Sequence, residues 1–261
     1  MGLLASDGKT SNTMSTTQPT NDHARRGVAL DMDGVINDGM SFHAQAWQAT
    51  YQALCGVELP ELLIYEREGV KGDEFVRQLA PLLGLPAPDD ETVAALNREK
   101  DRRFHAIFRV IPIPGIHDLV GLLAGRLGYP LAVVTGSNRD VAANALAGLG
   151  LAGCFAHVVA AGDVGRGKPH PEPYLTAARL LAVDPAHCLV IENAPAGISA
   201  AGAAGMACVA VTTSLPADYL RAADRIVADH GQLASLLLAE YGLSGGLGAW
   251  CWPGPDRTEH P

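Results

Sequence analysis

The chain has 261 residues, 48% hydrophobic and 18% charged, which is enough apolar material to bury a full core in one large domain or two smaller ones. A net charge of -9 with no basic stripe sets aside nucleic acid as a partner, because that binding rests on clustered Lys and Arg neutralising phosphates. The five cysteines, Cys55, Cys154, Cys188, Cys208 and Cys251, are scattered with no CxxC pair, so neither a disulfide framework nor a zinc site is indicated, and a cytoplasmic location fits.

In chain order, the opening MGLLAS matches a short myristoylation pattern, but Ser6 to Thr20 is a polar tract. Residues 1–26 therefore read as a disordered leader, with Met14 a second candidate start. Val28 to Leu30 is the first buried strand, and DMDG follows it. Asp and Gly are turn formers, so DxDG by itself reads as a turn. A calcium loop fails, because Val35 and Ile36 stand where an oxygen ligand and a glycine are needed.

From Gly39 to Pro112 no strand is evident. Three helices are predicted there: one with His43, Trp47 and Tyr51, one through Glu74 to Leu83, and one from Glu91 to Phe108. Leu54, Phe75, Leu79, Leu96 and Phe104 are the expected core of this insertion. VIPIPG, Val110 to Gly115, is one connecting strap, stiffened by Pro112 and Pro114.

Four more apolar runs then come at helix-sized intervals: Leu131 to Val134, His157 to Ala160, Cys188 to Ile191 and Cys208 to Val211. Helical stretches Asp140 to Leu149, Glu172 to Leu181 and Ala196 to Ala204 separate them. This alternation predicts an α/β fold with a parallel sheet covered on both faces. The expected division is a core of residues 27–39 and 113–240, a helical cap of 40–112, and a loose Gly- and Pro-rich tail of 241–261 on which Trp250 and Trp252 could still dock. No apolar run reaches the ~18 residues of a membrane helix.

Ligands of open α/β sheets bind beyond the carboxyl ends of the strands. There the chain places Asp31 and Asp33, then Thr135 in TGSN, then Lys168, then Glu192 with Asn193. Each taken singly is an ordinary cap, turn or surface charge. Together they form a site in which acidic oxygens hold a hard cation such as Mg2+, Lys168 and Thr135 take up phosphoryl charge, and one aspartate attacks.

DMDGV, VVTGS, the Lys of GRGKPHPEPY and IENAPAGISAA resemble the four successive motifs of the haloacid dehalogenase superfamily, in the branch with β-phosphoglucomutase-like and phosphoglycolate-phosphatase-like enzymes. The resemblance spans about Val28 to Leu215 and implies a Rossmann-like sheet core with an inserted all-helical cap. It makes Asp31 the nucleophile that forms an aspartyl-phosphate and Asp33 the general acid and base, with Thr135 and Lys168 as catalytic partners. It also implies a magnesium site from Asp31, the Asp33 carbonyl, Glu192 and Asn193. Relatives carry a second carboxylate where this chain has Asn193, which leaves Glu192 as the expected direct ligand. Gly34, Gly136, Ser137, Asn138, His43 and Lys71 complete the expected phosphate and substrate contacts.

The cap loop EGVKGDE lacks the mutase lysine before its Gly-Val pair, which favours hydrolysis over phosphosugar transfer. The expected partner is thus a small phosphorylated metabolite, a sugar phosphate, acted on by a monomer or weak dimer. The alternatives are a phosphosugar mutase and a phosphate-ester binder without turnover. GDVGRGKP nearly spells a phosphate-cradling P-loop, but Pro169 stands where Ser or Thr is required, so an NTPase is disfavoured.

Overall fold

The structure, a computed structural model, describes residues 26–240. The leader up to residue 25, Met14, the 241–261 tail, Trp250 and Trp252 lie outside the described residues. Six strands, β1 (Gly27–Leu30), β2 (Leu131–Val134), β3 (His157–Val159), β4 (Cys188–Glu192), β5 (Ala207–Val211) and β6 (Arg225–Val227), form one sheet in the order β3-β2-β1-β4-β5-β6. All neighbours pair in parallel. Order reverses at β1, which lies between β2 and β4, and the loops at that switch point gather the site.

The central strands are apolar on both faces because both faces are covered. Val28, Leu30, Val133, Ile191 and Val209 pack on one side with Ile116, Leu119, Leu146 and Leu233. Ala29, Val134, Val190 and Ala210 pack on the other with Tyr174, Ala177 and Ile198. Helices α5 (Ile116–Val120), α6 (Arg139–Gly148) and α9 (His230–Glu240) thus cover the first face, and α7 (Glu172–Leu181) and α8 (Pro195–Ala203) the second. Leu30 is fully buried, and truncating such a side chain to Ala costs about 2–5 kcal/mol.

The insertion holds four helices rather than the three expected: α1 (Met40–Cys55), α2 (Glu61–Tyr65), α3 (Gly72–Leu82) and α4 (Asp90–Ile107). Helix α2 has five residues, too few for a period to show in the sequence. Gly56 ends α1 in the left-handed conformation, its N–H returning to the Gln52 carbonyl and the Val57 N–H to that of Tyr51. Trp47, Tyr51, Phe75, Leu79 and Leu96 form the cap's own core, with the Trp47 and Phe75 rings stacked at 4.5 Å. Two expected members are elsewhere. Leu54 is 53% exposed, because Cys55 takes the last inward place on α1. Phe104 packs downward, with Met32, Val35 and Ile36 of the sheet side.

The two crossings between core and insertion run side by side. Asp38 donates its N–H to the Ile111 carbonyl, Ile113 donates to that of Ile36, and the Asn37 Oδ1 accepts from the Ile111 N–H. In the core, α5, the edge strand β6 and the closing helix α9 were not expected from the sequence. The strand β6 is short and only Val227 in it is buried, so it leaves no apolar run to read.

Candidate active site

Asp31 follows β1 directly, and the chain turns at once, with Val35, Ile36 and Asn37 all returning N–H groups to the Met32 carbonyl. Gly34 sits at φ 96°, and a Cβ there would collide with the Asn193 carboxamide, so glycine is required on both counts. Asp31, Asp33, Thr135, Lys168, Glu192 and Asn193 come together at the ends of β1, β2 and β4, and all are buried.

Lys168 is the hub. Its Nζ donates to Asp31 Oδ1 at 2.5 Å, to Glu192 Oε1 at 2.7 Å and to the Val134 carbonyl at 3.2 Å. Three protons meet three acceptors, which fixes the ammonium fully. Burial alone would lower the Lys168 pKa, but the Asp31, Glu192 and Glu68 carboxylates outweigh it and hold the lysine charged. Tyr174 donates its phenol to Glu192 Oε1 at 2.7 Å, and burial foremost keeps that phenol protonated.

Glu192, the expected direct metal ligand, offers an oxygen within 4.8 Å of oxygens of Asp31 and Glu68, and in this structure its carboxylate is hydrogen-bonded throughout. Its Oε1 takes Lys168 and Tyr174, and its Oε2 takes the backbone N–H groups of Asn193 and Ala194 at 2.9 and 3.2 Å. Gly197, in the first turns of α8, leaves room for this carboxylate, since a Cβ there would strike it. The residue is also the counter-charge that positions Lys168. Asn193 donates its Nδ2 to the Asp33 carbonyl at 3.1 Å and to Ser214 Oγ at 2.9 Å.

Asp33 faces the cap. Its Oδ2 lies 3.4 Å from His43 Nε2 and 3.4 Å from Ser137 Oγ, and its Oδ1 lies 3.4 Å from Asn37 Nδ2. His43 stacks on Phe104 at 4.2 Å, and burial foremost, aided by Lys100, lowers its pKa. The contact with Asp33 is thus one between a neutral imidazole and a carboxyl group. Thr135 Oγ1 accepts the Ser137 N–H at 3.0 Å, shaping the turn. Gly136 meets the cap directly, for a Cβ there would lie 2.8 Å from the Gly69 carbonyl oxygen. Asn138 reaches across to Asp101 of α4 at 3.5 Å.

Lys71, an expected substrate contact, also has partners within the protein. It lines the cleft, yet its ammonium donates to the Val164 carbonyl at 3.1 Å and approaches that of Gly165 at 3.5 Å, because the cap turn passes directly over that loop. In this structure it fastens cap to core. The near P-loop is no phosphate cradle either: Lys168 is buried against carboxylates, and the next helix begins only at Glu172.

Between the strand ends and the cap lies a cleft of about 390 Å³. A model of the haloacid dehalogenase-like hydrolases matches residues 26–205, a stretch that includes all four motifs. The chain belongs to this family. It is similar, at 36% identity over 71% of the chain and 95% of the relative, to the fructose-1-phosphate phosphatase YqaB of Escherichia coli. The validoxylamine A 7'-phosphate phosphatase of Streptomyces hygroscopicus subsp. limoneus is 33% identical over 77% of the chain and 93% of its own length. Among solved structures, a β-phosphoglucomutase of Clostridium difficile superposes with a TM-score of 0.73 at 25% identity, covering 83% of this chain and 96% of that one.

The chain is therefore an enzyme, a hydrolase of the phosphatase type with a Rossmann-like parallel sheet and a helical cap. Its oxygen-rich strand ends fit a hard cation. Asp31 Oδ2 and Asn193 Oδ1 are buried with no hydrogen-bond partner, and all-oxygen donor sets are what magnesium takes. Burial pushes the Asp31 carboxyl up to about 8, with Glu192 and Asp33 adding to the effect and Lys168 opposing it. A divalent cation beside it would reverse that shift.

The hydrolase also has site residues that sequence reasoning missed. Glu68, from the turn between α2 and α3, brings a carboxylate oxygen within 4.8 Å of oxygens of Asp31 and Glu192. Burial, then Asp31, raises its pKa well above the carboxylate range. Lys100 of α4 hangs over the Phe104 ring at 4.7 Å and the Trp47 ring at 5.7 Å. Leu96, Lys100 and Phe104 recur at helical spacing on one face of α4, and a charge within such a stripe was the available signal.

Proposed function

We propose that this enzyme hydrolyses the phosphate monoester of a small polyhydroxylated metabolite, a sugar or polyol phosphate, through an aspartyl-phosphate on Asp31, with magnesium as cofactor. The observation that carries the reading is the split state of Asp31: one oxygen held by Lys168 at 2.5 Å, the other buried and unpartnered. A carboxylate fixed by one oxygen and open at the other is posed as a nucleophile. One Asp31 carboxylate oxygen attacks phosphorus, the other being left to the cation, and the ester P–O bond breaks. The departing oxygen receives a proton from Asp33, whose carboxyl lies against His43 and Ser137, two residues that line the cleft. Asp33 then takes a proton from the water that hydrolyses the acyl phosphate, regenerating Asp31.

Magnesium, when bound by Asp31, Asn193 and the Asp33 carbonyl, supplies charge neutralisation and orientation of the phosphoryl group. Lys168 keeps Asp31 aligned and offsets the negative charge that phosphate adds. Hydrolysis is favoured over mutase chemistry because two cations of the cleft are engaged internally, Lys71 on the Val164 carbonyl and Arg67 on the Leu63 carbonyl. A second phosphate group would have to displace one of them. The named relatives, phosphatases of fructose 1-phosphate and of a validoxylamine phosphate, support a polyhydroxylated substrate. The test is a panel of sugar, polyol and aryl phosphates with and without magnesium. Magnesium-dependent release of inorganic phosphate is expected. Conversion of a sugar phosphate to its isomer without phosphate release would replace hydrolase by mutase.

A further inference from the structure

Three buried oxygens at the strand ends lack any hydrogen-bond donor: Asp31 Oδ2, Asn193 Oδ1 and Glu68 Oε2. The first two belong to residues that are fully buried. Nearby donors are already used. Lys168 has three acceptors, Tyr174 serves Glu192, and the Asn193 Nδ2 is divided between Asp33 and Ser214. Three carboxylates, Asp31, Glu68 and Glu192, thus surround one buried ammonium. Buried acceptors left in this condition are costly, and one hard cation satisfies several at once.

Each Glu192 oxygen already accepts two hydrogen bonds, so it has less to give a cation than Glu68, whose Oε2 accepts none. Glu68 is the freer carboxylate, with an oxygen within 4.8 Å of Asp31. Its place is set by the cap. Gly69, next in the chain, sits at φ 77°, and a Cβ there would come 2.6 Å from Lys168 Cδ, while its carbonyl lies against Gly136. The turn is wedged between the Lys168 side chain and the Thr135–Ser137 turn, so it is the seating of the cap on the sheet that carries Glu68 to the site.

We propose that Glu68 is a ligand of the divalent cation, delivered by the cap, so that closure completes a coordination shell begun by Asp31 and Asn193. The proposal rests on the magnesium-dependent reading above. It supplies the negative charge that a carboxamide at position 193 does not, and magnesium binding leans on anionic oxygens. Cation binding and cap closure then favour each other reciprocally.

The experiment is calorimetric titration of the full chain with Mn2+ and no substrate, on the wild type, Glu68→Gln and Glu68→Ala, each checked for fold by circular dichroism. Gln preserves shape and removes charge; Ala removes the ligand should Gln disturb the turn. Affinity is expected to fall at least about tenfold in both variants. Hydrogen exchange in the 66–72 turn is expected to slow on adding Mn2+ to the wild type and not to the variants. Variants that bind Mn2+ as tightly as the wild type, or more tightly, overturn the role of Glu68 and leave the phosphatase reading intact. A wild type that hydrolyses phosphate monoesters yet binds no Mn2+ or Mg2+ overturns the metal reading and this proposal with it.

Discussion

The cleft has two walls that differ in how their polar groups are held. On the sheet side, the open Asp31 Oδ2 and Asn193 Oδ1 apart, every proton of the Lys168 ammonium has an acceptor, and each oxygen of Glu192 accepts two hydrogen bonds. On the cap side Lys100 rests over aromatic rings with one 3.5 Å contact to Asp101, His43 stands 3.4 Å from Asp33, and Glu68 Oε2 has no donor. Fixed geometry suits bond making, which tolerates little misplacement. Spare hydrogen-bonding capacity suits the recognition of a ligand that arrives with its own donors and charge. On the proposed function, reaction belongs to the sheet and selection to the cap, and this contrast can be broken at either wall.

The largest effect is expected at the sheet wall. Asp31→Asn should lower turnover by about 10⁴-fold or more while circular dichroism stays unchanged, since a carboxamide is a poor nucleophile of nearly the same shape. Turnover within a few fold of wild type removes the covalent step. Asp33→Asn should cost about 10² to 10⁴ in rate, with the deficit shrinking for leaving groups of low pKa, such as nitrophenol. An equal loss for every leaving group contradicts its role as proton donor.

On the cap side, Gly69→Ala introduces a methyl group that meets Lys168 and strains a left-handed residue. It should lower kcat/KM by about 10²-fold while the sheet melts as before. Unchanged kinetics would show that closure in this form is not needed.

Asn193→Asp offers a smaller, stability-based test. It removes the donor to the Asp33 carbonyl and sets a carboxylate against it, so the cation-free protein should lose about 1–3 kcal/mol. Added magnesium should restore the melting temperature and bind more tightly than to wild type. A variant whose stability ignores magnesium places position 193 outside the metal shell.

The smallest effect belongs to the cap surface. Arg102 and Arg103 hold the Glu99 carboxyl down to about 2, with the Arg102 hydrogen bond the largest cause. Its folded pKa is depressed, so its stabilisation is present above the unfolded value of 4.5 and is lost as pH falls toward about 2. Glu99→Gln should flatten that part of the melting curve slightly at low salt, and a pH slope identical to wild type argues against the pair.

The sheet was legible because its central strands are short runs of Val, Leu, Ile and Ala buried on both faces, a pattern that neither exposed loops nor amphipathic helices produce. Edge strand β6 was not, since Arg225 is exposed and only Val227 is buried. The site residues Asp31, Asp33, Thr135, Lys168 and Asn193 could be placed because strand ends converge by topology. The hydrogen-bond commitments of Glu192 and Lys71 could not, because they depend on which oxygen reaches which proton after folding. Glu68 escaped for a related reason: it matters only once the cap turn has been carried over the sheet.

The paired crossings at Asn37 and Ile111 have a consequence for the chain as a whole. Because the insertion leaves and re-enters the sheet at neighbouring, mutually bonded points, the core does not register how much chain lies between them. The entropic penalty of closing such a loop grows by only about 0.6 kcal/mol for each doubling of its length. The helical segment between Asp38 and Ile111 is therefore open to exchange for a different lid, and a different substrate, provided the replacement again covers Met32, Val35 and Ile36 as Phe104 does.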